Sequence, residues 1–277
     1  MPRPRPELRA LLKKLFRADI DFDEFVGDQF PDTKRLFTDN MDRKRKENIL
    51  LEQLADDQRF TDALLKLPGG PPPPPAPPPR VKILYLAANP TSTTQLDLTR
   101  EARAIEERIA VGKPREALEL VPRWAVRPRD LHRALMEVEP HILHFSCHGS
   151  VQEQLVLEDD RGNQARVEKE ALADLLHRLP GNIRLVVLNA CDTATVAEAL
   201  VRHVDCAIGM CRPIGDDAAI AFAAAFYEAI GFGKSVGEAF GLGNNELMLA
   251  RIPEEQTPKL EVKQGVDAAR VVLVGPR

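Results

Sequence analysis

A run of thirteen residues, Pro68-Gly-Gly-Pro-Pro-Pro-Pro-Pro-Ala-Pro-Pro-Pro-Arg80, divides the chain. Proline fixes φ and has no amide proton, so this stretch is neither helix nor central strand. It is expected as polyproline II rising ~3.1 Å per residue, a stiff spacer of roughly 30 Å. A plain linker accounts for it. The alternative, a ligand for a proline-binding module, has no other support in the sequence. The division predicts a small domain over residues 1–67, a linker over 68–80 and a larger domain over 81–277. A length of 277 residues suits one large or two modest domains.

The hydrophobic share is 44% and the charged share 29%, which excludes a wholly disordered chain. The net charge of −4 argues against a nucleic-acid partner. No run approaches the ~18 apolar residues that span a bilayer, so no membrane partner is expected. The first residues carry charge with no apolar stretch behind them, so no secretory signal is expected there. Four cysteines, all in the second half, make no disulfide framework and fit a reducing cytoplasm.

Residues 1–67 read as helical. Leu8, Leu11, Leu12 and Leu15 share one helical face. Asp21 is placed to cap a second helix carrying Phe22, Phe25 and Val26, and Leu36 and Phe37 follow in a short third helix. Asp42 caps a fourth with Ile49, Leu50 and Leu54, and Asp57 starts a last through Phe60, Leu64 and Leu65. Six of the chain's 11 phenylalanines lie here, enough for a compact core. The run Arg43-Lys-Arg-Lys46 reads as a solvated helix face, or as half of a charge-complementary partner surface. The stretch holds no histidine or cysteine.

After the linker, strands alternate with helices. Strands are expected at 81–87, 117–121, 141–147, 154–157, 185–188, 206–210 and 270–274. Helices are expected over 98–109, 131–138, 168–179, 193–203, 217–230 and 235–249. This is the pattern of a mostly parallel α/β sheet covered on both faces. Its chemistry belongs beyond the C-terminal strand ends.

Two apolar strands end in reactive residues: His141-Ile-Leu-His-Phe-Ser-Cys-His148-Gly149 and Leu185-Val-Val-Leu-Asn189-Ala-Cys191. A cysteine nucleophile needs its thiolate, and an imidazole supplies the base. The tetrahedral intermediate needs two donors, which the amides of Gly149 and Cys191 can supply. Gly149 is then glycine because the substrate backbone passes close by. Cys206 and Cys211 read as small core residues, and His144 as buried and hydrogen-bonded. A metal site from Cys147, His148 and Cys191 lacks a short ligand pair such as C-x-x-C, so no metal is expected. No G-x-G-x-x-G follows the first strand and no phosphate-binding lysine loop occurs, so no nucleotide cofactor is expected.

Residues 140–149 resemble the H-F-S-G-H-G signature of CHAT peptidases, caspase-like relatives of separase. Leu84-Tyr-Leu-Ala-Ala-Asn-Pro90, Leu155-Val-Leu-Glu-Asp159, Val186-Val-Leu-Asn-Ala-Cys191, Ile208-Gly-Met210, Ile214-Gly-Asp-Asp-Ala218 and Phe226-Tyr227 are similar to that family in the same order. The resemblance covers residues 81–275, about 70% of the chain. It implies a caspase-hemoglobinase fold and a cysteine endopeptidase acting on a protein substrate. By matching position, His148 is the general base, Cys191 the nucleophile, Gly149 and Cys191 the oxyanion donors, and Asn189 a supporting residue.

The sequence departs from that pattern where Cys147 replaces the family's glycine; its thiol could perturb His148 or be oxidised. Asp192 and Thr193 depart too, which should bear on substrate subsites more than on mechanism. In this clan the stretch Met210-Cys-Arg212-Pro-Ile-Gly-Asp216-Asp217 lines the first specificity pocket. Arg212 suits an acidic side chain and Asp216 a basic one, while capping the helix that follows is the competing role of Asp216 and Asp217.

Residues 8–67, with Asp21-Phe-Asp-Glu-Phe25, Phe30-Pro31 and Met41-Asp-Arg43, resemble the small helical effector-associated, death-like domains of bacterial conflict systems. That implies recruitment through a partner bearing a like domain, or self-association, in a defence or cell-death pathway. Two other readings stay open: a catalytically silent scaffold, and a thiol-dependent small-molecule amidase.

Overall fold

The computed structural model describes residues 5–16, 18–54, 57–67, 80–111, 117–179 and 182–275. The chain divides into two compact units, Met1–Pro77 and Pro78–Arg277. The expected polyproline spacer lies outside the described residues, apart from Arg80.

The first unit has helices α1 (Arg5–Leu15), α2 (Asp19–Gln29), α3 (Pro31–Lys34), α4 (Arg43–Leu54) and α5 (Gln58–Leu65). Leu8, Leu12, Phe16, Phe22, Phe25, Val26, Phe30, Leu50, Leu51, Leu54, Phe60 and Leu64 form its core. Asp42 and Asp57 start α4 and α5 as expected, accepting from the Arg45 and Arg59 amides at 2.8 and 2.9 Å. Two expectations fail locally. Asp21 lies in the first turn of α2, whose N-cap is Ala18. The short third helix precedes Leu36 and Phe37, because Pro31, with φ already helical, starts it at its first position. The basic run is divided: Lys44 and Arg45 are exposed, whereas Arg43 lies 3.8 Å over the Phe22 ring and pairs with Glu47, and Lys46 pairs with Asp23.

The second unit is α/β. Strands β1 (Val81–Ala87), β2 (Leu118–Arg123), β3 (Ile142–Ser146), β7 (Leu185–Asn189), β8 (Cys206–Met210) and β9 (Pro258–Val262) form one sheet in the order β2-β1-β3-β7-β8-β9. All its pairings are parallel except β8 with β9. A second, antiparallel sheet holds β4 (His148–Gly149), β5 (Gln154–Glu158) and β6 (Gln164–Glu168). The helices are α6 (Leu98–Val111), α7 (Leu131–Val138), α8 (Lys169–Arg178), α9 (Ala194–Leu200), α10 (Asp216–Gly231) and α11 (Val236–Leu249).

Side chains alternate across a strand, so each strand serves two cores. Leu84, Leu86, Leu143, Phe145, Val186 and Leu188 pack with α7, α8 and α9. Ile83, Tyr85, Ile142, Leu185 and Val187 pack with α6, α10 and α11. The expected strand over 270–274 is absent. Ala268–Arg270 is a 3-10 turn. Val271 accepts from the Val236 amide, and Val272 bridges Ser235, so the start of α11 takes up this segment. The sheet edge goes instead to β9, whose alternation of Lys259, Leu260, Glu261 and Val262 suits a half-exposed strand.

Candidate active site

Parallel pairing places Ser146 beside Asn189 at the C-terminal ends of β3 and β7. His148 follows Ser146 by two residues and Cys191 follows Asn189 by two. Residues 43 apart in sequence thus emerge from adjacent strands at one sheet edge. A cleft opens there, lined by His148, Cys191, Asn189, Ser146 and Glu101 among others.

Gly149 and Cys191 approach each other backbone to backbone. A Cβ built on Gly149 would fall 1.7 Å from the Cys191 carbonyl oxygen and 3.2 Å from its amide nitrogen. Real Cβ atoms do not come so close, so residue 149 must lack one. The neighbour that demands glycine is Cys191 itself, which replaces the expectation that a substrate backbone does.

His148 Nε2 lies 2.8 Å from the Thr94 carbonyl oxygen. A carbonyl only accepts, so Nε2 carries a proton, and in the neutral ring the lone pair is then on Nδ1. Thr94 was not singled out in the sequence, because a backbone carbonyl leaves no mark on residue type.

The loop carrying Cys191 is pinned by Thr193, which is fully buried. Its hydroxyl lies 2.7 Å from the Ala190 carbonyl and accepts from the Met210 amide at 3.1 Å, while its own amide donates to Met210 O at 2.8 Å. Asp192 turns the chain with φ +54°, a left-handed conformation that aspartate tolerates better than most residues. Thr193 therefore anchors the loop to β8, a structural role in place of the expected subsite role.

Cys147 points into the apolar core, 2% exposed. Burial above all pushes its thiol up to about 12, with Glu101 and Cys191 adding to the shift. Its burial and raised thiol both count against a role as nucleophile. Burial likewise pushes Cys206 up to about 12. Cys211, expected in the core, is exposed because it stands just past the end of β8.

Asp216 lines the cleft from the first turn of α10 and accepts from the Asp97 amide at 3.2 Å. Arg212 and Asp217 are not among the lining residues. Arg212 donates to Thr257 Oγ1 at 2.8 Å, and Asp217 pairs with Arg100 on the surface at 2.8 Å.

Beneath the cleft lies Glu101, 4% exposed. It is reached by Tyr85, His144, Ser146 and Asn189. His144 is buried and bonded through both ring nitrogens, as expected. Burial pushes the Glu101 carboxyl up, but the hydrogen bonds and charge of its partners outweigh that and hold it below the ordinary value. Burial and the Glu101 charge raise both Tyr85 and Tyr227, so both phenols stay protonated donors. Sequence reasoning missed Glu101, although it sits among Leu98, Ala102 and Ile105 on the apolar stripe of α6. An acid on such a stripe is the signal that would have found it.

A protein-family model for the CHAT domain matches residues 35–252, about four fifths of the chain, starting within the first unit. A Roc-COR-CHAT protease from an unknown prokaryotic organism is 24% identical over 181 residues, covering 63% of this chain and 17% of that protein. A probable protease of Gillisia limnaea (strain DSM 15749 / LMG 21470 / R-8282) is 23% identical over 187 residues, covering 67% and 31%. The chain thus spans less than a third of either relative. Among solved structures, the Arg-specific cysteine proteinase gingipain R aligns with a TM-score of 0.48 at 9% identity, over 70% of this chain and 48% of that one. Caspase-1 from Spodoptera frugiperda aligns with a TM-score of 0.45 at 9% identity, over 67% and 90%. On the family match, which takes in both strand-end motifs, the chain belongs to the CHAT domain family.

Proposed function

We propose that this chain is a cysteine endopeptidase in which Cys191 is the nucleophile and His148 the general base. The observation that carries this reading is the backbone contact of Gly149 with Cys191, which sets the two motifs side by side in one cleft. His148 Nδ1 takes the Cys191 proton. The sulfur attacks the carbonyl carbon of the substrate, the C–S bond forms, and an electron pair moves onto the carbonyl oxygen. The amides of Gly149 and Cys191 donate to that oxyanion. On collapse the C–N bond breaks, and the leaving amine takes the proton from the imidazolium. His148 then deprotonates a water, which attacks the thioester and returns the thiolate, leaving a carboxylic acid product. Asp216, on the cleft wall, is the proposed contact for the substrate residue before the cut.

Recruitment is proposed to run through the helical unit, by a like domain on a partner or by self-association, in a bacterial defence or cell-death pathway. Its resemblance to effector-associated domains supports this. Peptidase activity that rises faster than enzyme concentration, with sedimentation showing association, is expected; strictly proportional activity from a monomer counts against self-association.

The test of the catalytic reading is hydrolysis of a fluorogenic peptide panel with Asp, Arg, Lys, Leu or Met before the cut. Cys191→Ala and His148→Ala should each lower kcat/KM by about 10⁴-fold or more, as loss of a catalytic-unit member does. Cleavage retained by purified Cys191→Ala would overturn the reading, and a cellular phenotype that survives Cys191→Ala would favour the scaffold.

A further inference from the structure

We propose that Glu101 is the positioning residue of the Cys191–His148 pair, holding the two chain ends that deliver them; this rests on the peptidase reading above. Its carboxylate has two oxygens and four partners. Oε2 takes the hydroxyl of Ser146 and lies 3.0 Å from the Tyr85 hydroxyl. Oε1 takes the Asn189 amide and lies 3.1 Å from His144 Nε2. Ser146 ends β3 two residues before His148, and Asn189 ends β7 two residues before Cys191. Oε2 therefore holds the end of β3, which delivers the base, while Oε1 ties β3, through His144, to the end of β7, which delivers the nucleophile.

His144 Nε2 donates to Glu101 Oε1, and its Nδ1 lies 2.9 Å from the Tyr227 hydroxyl. The network has two near arms, Ser146 and Asn189, and two far arms, Tyr85 and His144 with Tyr227 behind it. Asn189 Oδ1 is buried without a protein partner among the described residues, so the side-chain amide is held on the Glu101 side alone.

A buried carboxylate with several donors resists displacement, since moving it leaves each donor unsatisfied. That stiffness suits a site where a misplacement near 1 Å costs on the order of 100-fold in rate. A structural brace alone would give a different pattern. Loss of any arm would lower stability, and activity would follow stability.

The experiment is steady-state peptidolysis by wild type, Glu101→Gln, Ser146→Ala, Asn189→Ala and Tyr227→Phe, each with a thermal melt. The rate of Cys191 alkylation by iodoacetamide, read by mass from pH 5 to 9, gives a second readout that needs no turnover. Glu101→Gln keeps the shape and folds by satisfying the two hydroxyls with its amide. Glu101→Gln and Asn189→Ala should lower kcat about tenfold or more with KM changed less than about twofold, and flatten the alkylation profile. The Asn189→Ala/Glu101→Gln pair should fall short of additivity, since both act through one contact. Tyr227→Phe should lower Tm and keep kcat. Equal loss of kcat per degree of Tm in Tyr227→Phe and Asn189→Ala would overturn the proposal, as would an unchanged kcat in Glu101→Gln. An ordinary free-thiol alkylation profile for wild-type Cys191, with no peptidolysis, would instead overturn the peptidase reading on which it rests.

Discussion

Among the described residues each unit buries one glutamate, and the two are held in opposite ways. Glu47, 1% exposed, takes the Arg43 guanidinium one turn back on its own helix, at 2.9 Å. That arginine also covers the Phe22 ring, so pair and core close within the bundle. Glu101, 4% exposed, draws its partners from β1, β3 and β7, with residues up to 88 positions away. A local pair of this kind stabilises a fold. A convergent one fixes where separate strands end, and in a parallel sheet those ends carry the chemistry. Burial of a charge is equal in the two units; the origin of the partners separates a brace from a site.

Replacing both acids by leucine breaks or upholds that distinction most strongly. Glu101→Leu should abolish peptide hydrolysis and cost about 3–5 kcal/mol, as breaking a buried ionic network does. Glu47→Leu should destabilise the first unit and lower the kcat of peptide hydrolysis far less than Glu101→Leu does. Equal effects of the two on kcat would erase the distinction.

Gly149→Ala comes next. Overpacking costs about 1–3 kcal/mol or more, and here the obstacle is the Cys191 backbone. Peptidase activity should be lost even where far-UV dichroism shows a folded protein. A fully active Gly149→Ala enzyme would contradict the contact.

Acid titration sharpens the comparison with a smaller effect. The Glu101 carboxyl is held below its ordinary value of 4.5. A depressed acid stabilises the fold above that value, and its contribution is lost as pH falls from about 4.5 through the lowered value. Wild type should therefore lose stability in that window in denaturant melts, and Glu101→Gln should lose less. Identical slopes would show that the carboxylate is not preferentially ionised in the fold. The smallest expected effect is Asp42→Ala, which removes the N-terminal hydrogen bond of α4. It should cost about 1 kcal/mol, read from melts, with no change in kcat.

Much of this was legible in the sequence. The strand-end positions of His148 and Cys191 follow from apolar runs that stop at reactive residues, and parallel order then makes them neighbours. Beginnings of helices were legible where a side chain does the capping, as at Asp42 and Asp57. They were misplaced where the backbone or a proline does it, as at Ala18 and Pro31. The edge strand β9 was missed because one sheet face leaves only weak alternation, and the segment at 270–274 was misread because apolar runs also serve loops that pack on a helix start. Within the site, what the sequence could not give is carried by backbone: the Thr94 carbonyl behind His148 and the Cys191 carbonyl behind Gly149. Glu101 differs, since an acid among Leu98, Ala102 and Ile105 is a visible breach of the pattern, and its partners needed the fold to be seen.

The most direct test of the central claim is covalent trapping by a peptidyl acyloxymethyl ketone, read by intact mass and peptide mapping. The account predicts a single adduct on Cys191 in wild type, slowed in His148→Ala and Glu101→Gln, with none on Cys147. An adduct on another cysteine, or labelling that survives in Cys191→Ala, would contradict it.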